Sequence, residues 1–243
     1  MTTSFLNGTA AGLHIPHPYF PQSLHLPHYT SPTMTMATIL TYFFSTVAVI
    51  LGISYALISS SPGKGTYAAT DKTRTPRFLW FVVCGFIHLF LEGYFAFNHR
   101  TIAGQDFVLA ELWKEYAYSD SRYMSADSFV VIMESVTGYI WGPLSFLSAY
   151  LIYSSSPASP ILEFLVSTGQ LYGDVLYYAT TLFEGAPHCS TSPFHFWFYF
   201  VFLNAFWIVI PLSIMALSAK RVTNAVRQVE GAGVAAGKRK KAL

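Results

Sequence analysis

The sequence predicts an all-α membrane protein with five transmembrane helices, and three observations predict it. Of 243 residues, 53% are hydrophobic, 17% aromatic and only 11% charged, against the roughly 25% charged residues usual in soluble domains. Mean hydropathy is +0.41, more apolar surface than a soluble core of this size would hide. Five apolar runs, near residues 34–58, 78–98, 126–153, 161–183 and 193–219, are each long enough to cross a hydrocarbon core about 30 Å thick. The third observation is that the basic residues cluster by segment, as membrane topology requires. Net charge is only +2, which speaks against a nucleic-acid partner.

Residues 1–33, read as a non-cytoplasmic N-terminal segment, contain no Lys, Arg, Asp or Glu. A basic region leading directly into an apolar run is missing, so no signal peptide is expected. His14, His17, His25 and His28 form two H-x2-H pairs. Prolines break the helix that would align them, and proline-rich aromatic segments suit a membrane interface, so no metal is expected. The first span, Met34 to Ile58, is followed by Ser59 to Arg77, with the breaker SSSPGKG and Lys64, Lys72, Arg74 and Arg77 against Asp71 alone.

The second span, Phe78 to Asn98, holds His88 and Glu92, four residues apart and therefore on one helix face. From about His99 to Ser125 the chain is polar, with Glu111, Lys114, Glu115, Asp120 and Arg122. That stretch fits either a short amphipathic helix capping a pocket mouth or a solvated loop. Asp127 opens the third span, which carries Glu134 and Thr137 on the same side, then a WGP sequence where Pro143 can kink it. The fourth span carries Gln170 and Asp174, and the fifth carries His195, Asn204 and Trp207. Cys84 and Cys189 offer neither a metal spacing nor a disulfide framework.

Five spans put the termini on opposite sides. The segments sharing the C-terminal side hold eleven of the fourteen Lys and Arg residues, and the other side only Arg100, Lys114 and Arg122. By the positive-inside rule the basic tail, 220–243, is cytoplasmic. The closing KKAL resembles a dilysine retrieval signal of the endoplasmic reticulum.

Depth then relates the spans to one another. Counted from the non-cytoplasmic ends, His88 falls at about 15 Å, Glu92 at about 9, Glu134 at about 12, Asp174 at about 14 and Asn204 at about 16. Four spans thus contribute polar groups to one layer, where ionisable side chains are costly unless they serve a pocket. Asp174 is accordingly a candidate substrate-binding residue. An apolar layer favours the protonated carboxyl, so Glu92 or Glu134 can hold a proton for a weak base, and His88 can give or take one near neutral pH.

Acid-base centres on different helices permit protonation at one carbon and deprotonation at another, as double-bond migration needs. The carbocation between those steps requires a stabiliser that does not attack it, and Trp207 offers the best π face. Other chemistries fit less well. The clustered His of di-iron enzymes, H-E-x-x-H and G-x-S-x-G are absent. One polar layer is not a channel lining, and no inverted repeat suggests a transporter.

The blocks HPYFPQSLHL (17–26), CGFIHLFLEGYF (84–95), LWKEYAYSDSRY (112–123), DSFVVIMESVTGYIWGPLS (127–145), GQLYGDVLYY (169–178) and FWFYFVFLNAFW (196–207) resemble the emopamil-binding protein family. These are membrane sterol Δ8–Δ7 isomerases of the wider EXPERA group. The resemblance implies a five-helix fold in the endoplasmic-reticulum membrane over about 34–219, commonly a homodimer, acting on a Δ8-sterol without a cofactor. The family's essential His and Glu match His88 and Glu92, its second acid matches Glu134 beside Thr137, and its Asn and Trp match Asn204 and Trp207. Arg122, Tyr123 and Asp127 match positions near the pocket, expected to meet substrate. A pocket that turns over a cation should also bind cationic amphiphilic amine drugs as inhibitors, beside membrane lipid. Two alternatives stand: an isomerase or cyclase of a specialised terpenoid or steroid, and a non-catalytic sterol or amphiphile binder like the sigma-2 receptor branch.

Overall fold

The computed structural model describes residues 15–61 and 71–241, with side chains through residue 232. His14, most of the SSSPGKG breaker and the last two residues of KKAL lie outside the described residues. Every described element is helical. In chain order α1 is Met36–Ser59, α2 is Arg74–Asn98, α3 is Val108–Tyr116 and α4 is Arg122–Ser125. They are followed by α5, Ser128–Tyr153, α6, Ser159–Phe183, and α7, which starts at His195 and continues to Lys241.

Helices α1, α2, α5 and α7 are long and apolar enough to cross a membrane. The expectation of five spans therefore meets five long helices, of which α6 has the length, 25 residues, but not the apolar composition. The cause is visible in its packing: Glu163, Gln170 and Asp174 on α6 are all buried, so its polar face is turned into the bundle rather than toward lipid. Helix α1 is the opposite case. Thr35 caps it through its side chain, its buried residues are only Ile39, Ser54 and Ile58, and Tyr42, Phe44, Val49, Ile53 and Tyr55 stand exposed. Such an apolar surface suits lipid contact.

Two expectations about boundaries change. The polar stretch after α2 is no solvated loop: α3 forms, and its Glu111 and Lys114 are fully buried as a pair 3.3 Å apart. Glu111 also accepts from the backbone N–H of Thr33 and Met34, which ties residues 15–33 over that end of the bundle. Helix α7 does not stop near residue 219, since the tail continues it without a break. At the opposite end Arg77 contacts both carboxylate oxygens of Glu163 and also Asp71, while Arg221 reaches Glu163 at 3.2 Å. Arg74 closes the same end by donating to the backbone carbonyls of Ser61, Ile152 and Tyr153.

Two apolar clusters fill the interior. One gathers Tyr19, Phe95, Trp113, Val130, Tyr177 and Phe200; the other gathers Ile58, Phe78, Phe81, Ile152, Val166 and Ile214. His88 and Glu92 on α2, Glu134 and Thr137 on α5, Gln170 and Asp174 on α6, and Asn204 and Trp207 on α7 each fall between a member of the first cluster and a member of the second. The polar layer is thus held between two packed ends.

Candidate active site

Three of the long helices depart from α geometry, and each does so at this layer. Helix α2 turns π-helical over Ile87–Glu92, α5 over Thr137–Trp141 and α7 over His195–Leu203. Such wide turns are rare and concentrate at functional sites. On α2 the turn carries both His88 and Glu92; on α5 and α7 it adjoins Glu134 and Asn204. The α2 and α5 turns face each other because glycines let them: a Cβ on Gly138 would sit 2.8 Å from the Cα of Gly93.

His88 is 1% exposed, and its Nδ1 lies 2.6 Å from Glu92 Oε2. Its other ring nitrogen, Nε2, lies 2.9 Å from the amide nitrogen of Gln170. Glu134, also buried, accepts from the Tyr123 hydroxyl at 2.5 Å. Thr137 donates to the Met133 carbonyl at 2.9 Å, which leaves its oxygen free to accept. Asp174 is 8% exposed, and its Oδ2 has no partner. The Trp207 ring stands 6.2 Å from the His88 ring and 5.7 Å from Trp80, and its indole N–H is unpartnered. Asn204 donates to Tyr116 Oη at 2.9 Å and to the Phe200 carbonyl at 2.7 Å.

These groups line one cavity of about 840 Å³, within the roughly 300–1,000 Å³ of small-molecule sites. His88, Glu92, Tyr123, Glu134, Thr137, Asp174, Asn204 and Trp207 all contribute to its wall, with Ile39, Phe43 and Val47 of α1 as an apolar side. An apolar slot with a few convergent polar groups and an aromatic face accommodates a rigid hydrocarbon that passes through a cation.

Arg122 and Asp127, expected to meet substrate, do not line this cavity. The Arg122 guanidinium is held by Asp120 at 2.6 to 3.0 Å and by the Thr180 and Thr181 hydroxyls, with Tyr177 under its charge. Asp127 is the N-cap of α5, accepting from the Val130 N–H at 3.1 Å.

Sequence reasoning passed over the role of Gln170, whose spacing of four from Asp174 already set both on one face of α6. It also missed Trp80, Tyr116 and Glu115, all on the cavity wall. Burial pushes the Glu115 carboxyl above the ordinary range, against the hydrogen bond it accepts from Tyr199 at 3.0 Å. Among the described residues no group of three His, Cys, Asp or Glu could hold a metal ion, and His17 bonds the Leu24 carbonyl at 2.8 Å.

Residues 108–218 match the model of EXPERA, the expanded EBP superfamily. The chain is 42% identical to the 3-beta-hydroxysteroid-Delta(8),Delta(7)-isomerase of Mus musculus and 40% identical to that of Rattus norvegicus, each match covering 86% of this chain and 90% of the relative. It is also 36% identical to an isomeliandiol synthase of Ailanthus altissima, over 73% of this chain and 85% of that one.

Proposed function

The chain belongs to the EXPERA family, and on that premise we propose that it is a sterol Δ8–Δ7 isomerase that uses the cavity between α2, α5, α6 and α7. The observation that carries the reading is the convergence of two separate proton-bearing sets, His88 with Glu92 and Tyr123 with Glu134, on a cavity that also presents Trp207. The C8=C9 π pair takes a proton at C9, which leaves a tertiary cation at C8. Trp207 faces that cation, and its π face stabilises the charge without forming a bond. The C7–H bond then breaks, its electron pair becomes the C7=C8 double bond, and its proton passes to the second set. One proton enters and one leaves, so the reaction needs no cofactor. His88, Glu92 and Glu134 carry the transfers, with Asn204 and Trp207 completing the catalytic set; Tyr123, Thr137 and Asp174 meet the substrate.

The finer assignments belong to the same proposal. Residues 34–219 form the membrane domain, with 1–33 on the non-cytoplasmic side and the basic tail in the cytoplasm. The protein resides in the endoplasmic-reticulum membrane as a homodimer, and cationic amphiphilic amines compete for the carboxylate-lined cavity. A second reading is favoured by the isomeliandiol synthase relative: the same groups would transpose a double bond in a specialised triterpenoid.

Conversion of zymosterol by microsomes from cells that lack their own isomerase, run in deuterated water, tests the proposal. A Δ7 product with deuterium at C9 is expected. Turnover of a polycyclic triterpenoid but no Δ8-sterol would select the second reading, and bound but unconverted substrate of both kinds would remove the enzyme assignment.

A further inference from the structure

We propose that Gln170 is a positioning residue that holds the His88 ring in both of its protonation states, offering its amide nitrogen to the neutral imidazole and its amide oxygen to the imidazolium. The inference rests on the isomerase reading of the cavity. An amide N–H only donates, so at 2.9 Å from Gln170 Nε2 the ring Nε2 acts as acceptor. The ring proton is then on Nδ1 and donates to Glu92 Oε2 at 2.6 Å. In this arrangement the ring carries one proton, on Nδ1, and Glu92 Oε2 accepts it. The remaining amide atom, Gln170 Oε1, is buried and has no partner, although buried acceptors are normally satisfied.

That oxygen is what the charged ring needs. When Nε2 gains a proton it becomes a donor, and a half-turn of the amide about its last side-chain bond brings Oε1 to it. A carboxylate serves only the charged ring and an apolar chain serves neither. Continuous support matters because each turnover changes the proton count of this set: the C7–H proton arrives as the C7=C8 bond forms, or one departs as C9–H forms. A ring that lost its Nε2 partner in either state could rotate and carry Nδ1 away from Glu92. Beside Glu92, the groups that act on this ring are the Glu134 carboxyl from α5 and the uncharged Trp207 indole from α7; Asp174 of α6 and Phe43 and Val47 of α1 line the same cavity, and Cys84 of α2 hydrogen-bonds Gln170 itself. Among the described residues no other hydrogen bond to Nε2 forms.

The test compares the full-length protein with Gln170→Glu and Gln170→Leu, after thermal unfolding has established that each variant folds. Two readouts are taken across pH: kcat and KM on a Δ8-sterol, and the fluorescence difference between each protein and its Trp207→Phe counterpart, since an imidazolium beside an indole quenches it. Gln170→Leu should lower kcat by about 10²-fold, the scale of a small misplacement of a catalytic group, with KM little changed. Gln170→Glu, whose ionised carboxylate only accepts, should stabilise the imidazolium and raise the midpoint of the His88-dependent quench by about one pH unit or more. The limb of kcat that requires neutral His88 should move up with it. Wild-type kcat in Gln170→Leu, or equal losses in both variants with an unmoved midpoint, would overturn the proposal and leave Gln170 as packing. Absence of turnover in the unmodified protein would instead remove the isomerase reading, and the fluorescence midpoints would still decide the role of Gln170.

Discussion

Trp207 shows what a single residue contributes when its surroundings are fixed. Its ring is packed on Trp80 at 5.7 Å and stands 6.2 Å from the His88 ring, so its face is held rather than free to turn away. A cation over such a desolvated face gains on the order of 2 kcal/mol, about thirtyfold in rate if the gain is confined to the transition state. Trp207→Phe keeps a weaker π face and most of the packing, whereas Trp207→Ala loses both. The expected order of kcat is therefore wild type, then Phe, then Ala, measured as single-turnover conversion of a bound Δ8-sterol. Equal rates for Phe and Ala would mean that the ring only fills space. At this scale the sequence was informative for residues whose chemistry is unusual in a membrane, such as His88, Glu92 and Glu134. Arg122 and Asp127 looked equally unusual, yet their charges are consumed by Asp120 and by the first turn of α5. An unusual residue type says that a partner exists, and only the fold says whether the partner is a ligand.

Among the elements, the crossing of α2 and α5 decides whether the two proton-bearing sets face one cavity. The crossing is close because Gly138 meets Gly93 with no room for a methyl group between them. Gly138→Ala would force the helices apart exactly where their π turns lie opposite each other, and overpacking of this kind costs about 1–3 kcal/mol. The expected outcome is a lower melting temperature together with a kcat loss larger than the loss of sterol affinity, because His88 and Glu134 would separate while the apolar walls persist. Loss of affinity alone, measured by sterol binding to the purified variant, would show that the crossing shapes the cavity but not the catalytic spacing. None of the three π turns was legible in the sequence: TGYIW and HFWFYFVFL are as apolar and aromatic as the regular helix around them, and in IHLFLE the His88 and Glu92 pair keeps the spacing of four that an ordinary α-helix would give it. The wide turns follow from tertiary contacts, which a local pattern does not encode.

For the whole molecule the relation between polarity and membrane depth is the governing fact. The apolar runs marked all five long helices, since lipid-facing helices must be apolar, but α6 is less apolar than α1, α2, α5 and α7 because it turns Glu163, Gln170 and Asp174 inward. A helix surrounded by protein is released from that demand, so the element richest in buried polar groups is the one hydropathy describes least well. The polar residues that the sequence grouped across four helices do line one cavity, and the two apolar clusters on either side of it hold those helices together. The orientation of the bundle rests on α6 being a full span. With α6 counted, the positive-inside rule puts the Arg77–Glu163–Arg221 end and the basic tail on the cytoplasmic side, with residues 15–33 at the opposite end. Were α6 not a span, the two termini would lie on one side. Epitopes placed at each terminus separate these cases in cells whose plasma membrane alone has been permeabilised: the C-terminal epitope should be reached by antibody, and the N-terminal one only after internal membranes are opened. Staining of both at the first step would place an even number of crossings in the chain. It would also expose residues 15–33 to the cytoplasm, which would put the Glu111-anchored mouth on the same side as the basic tail and contradict the charge segregation that the positive-inside rule requires.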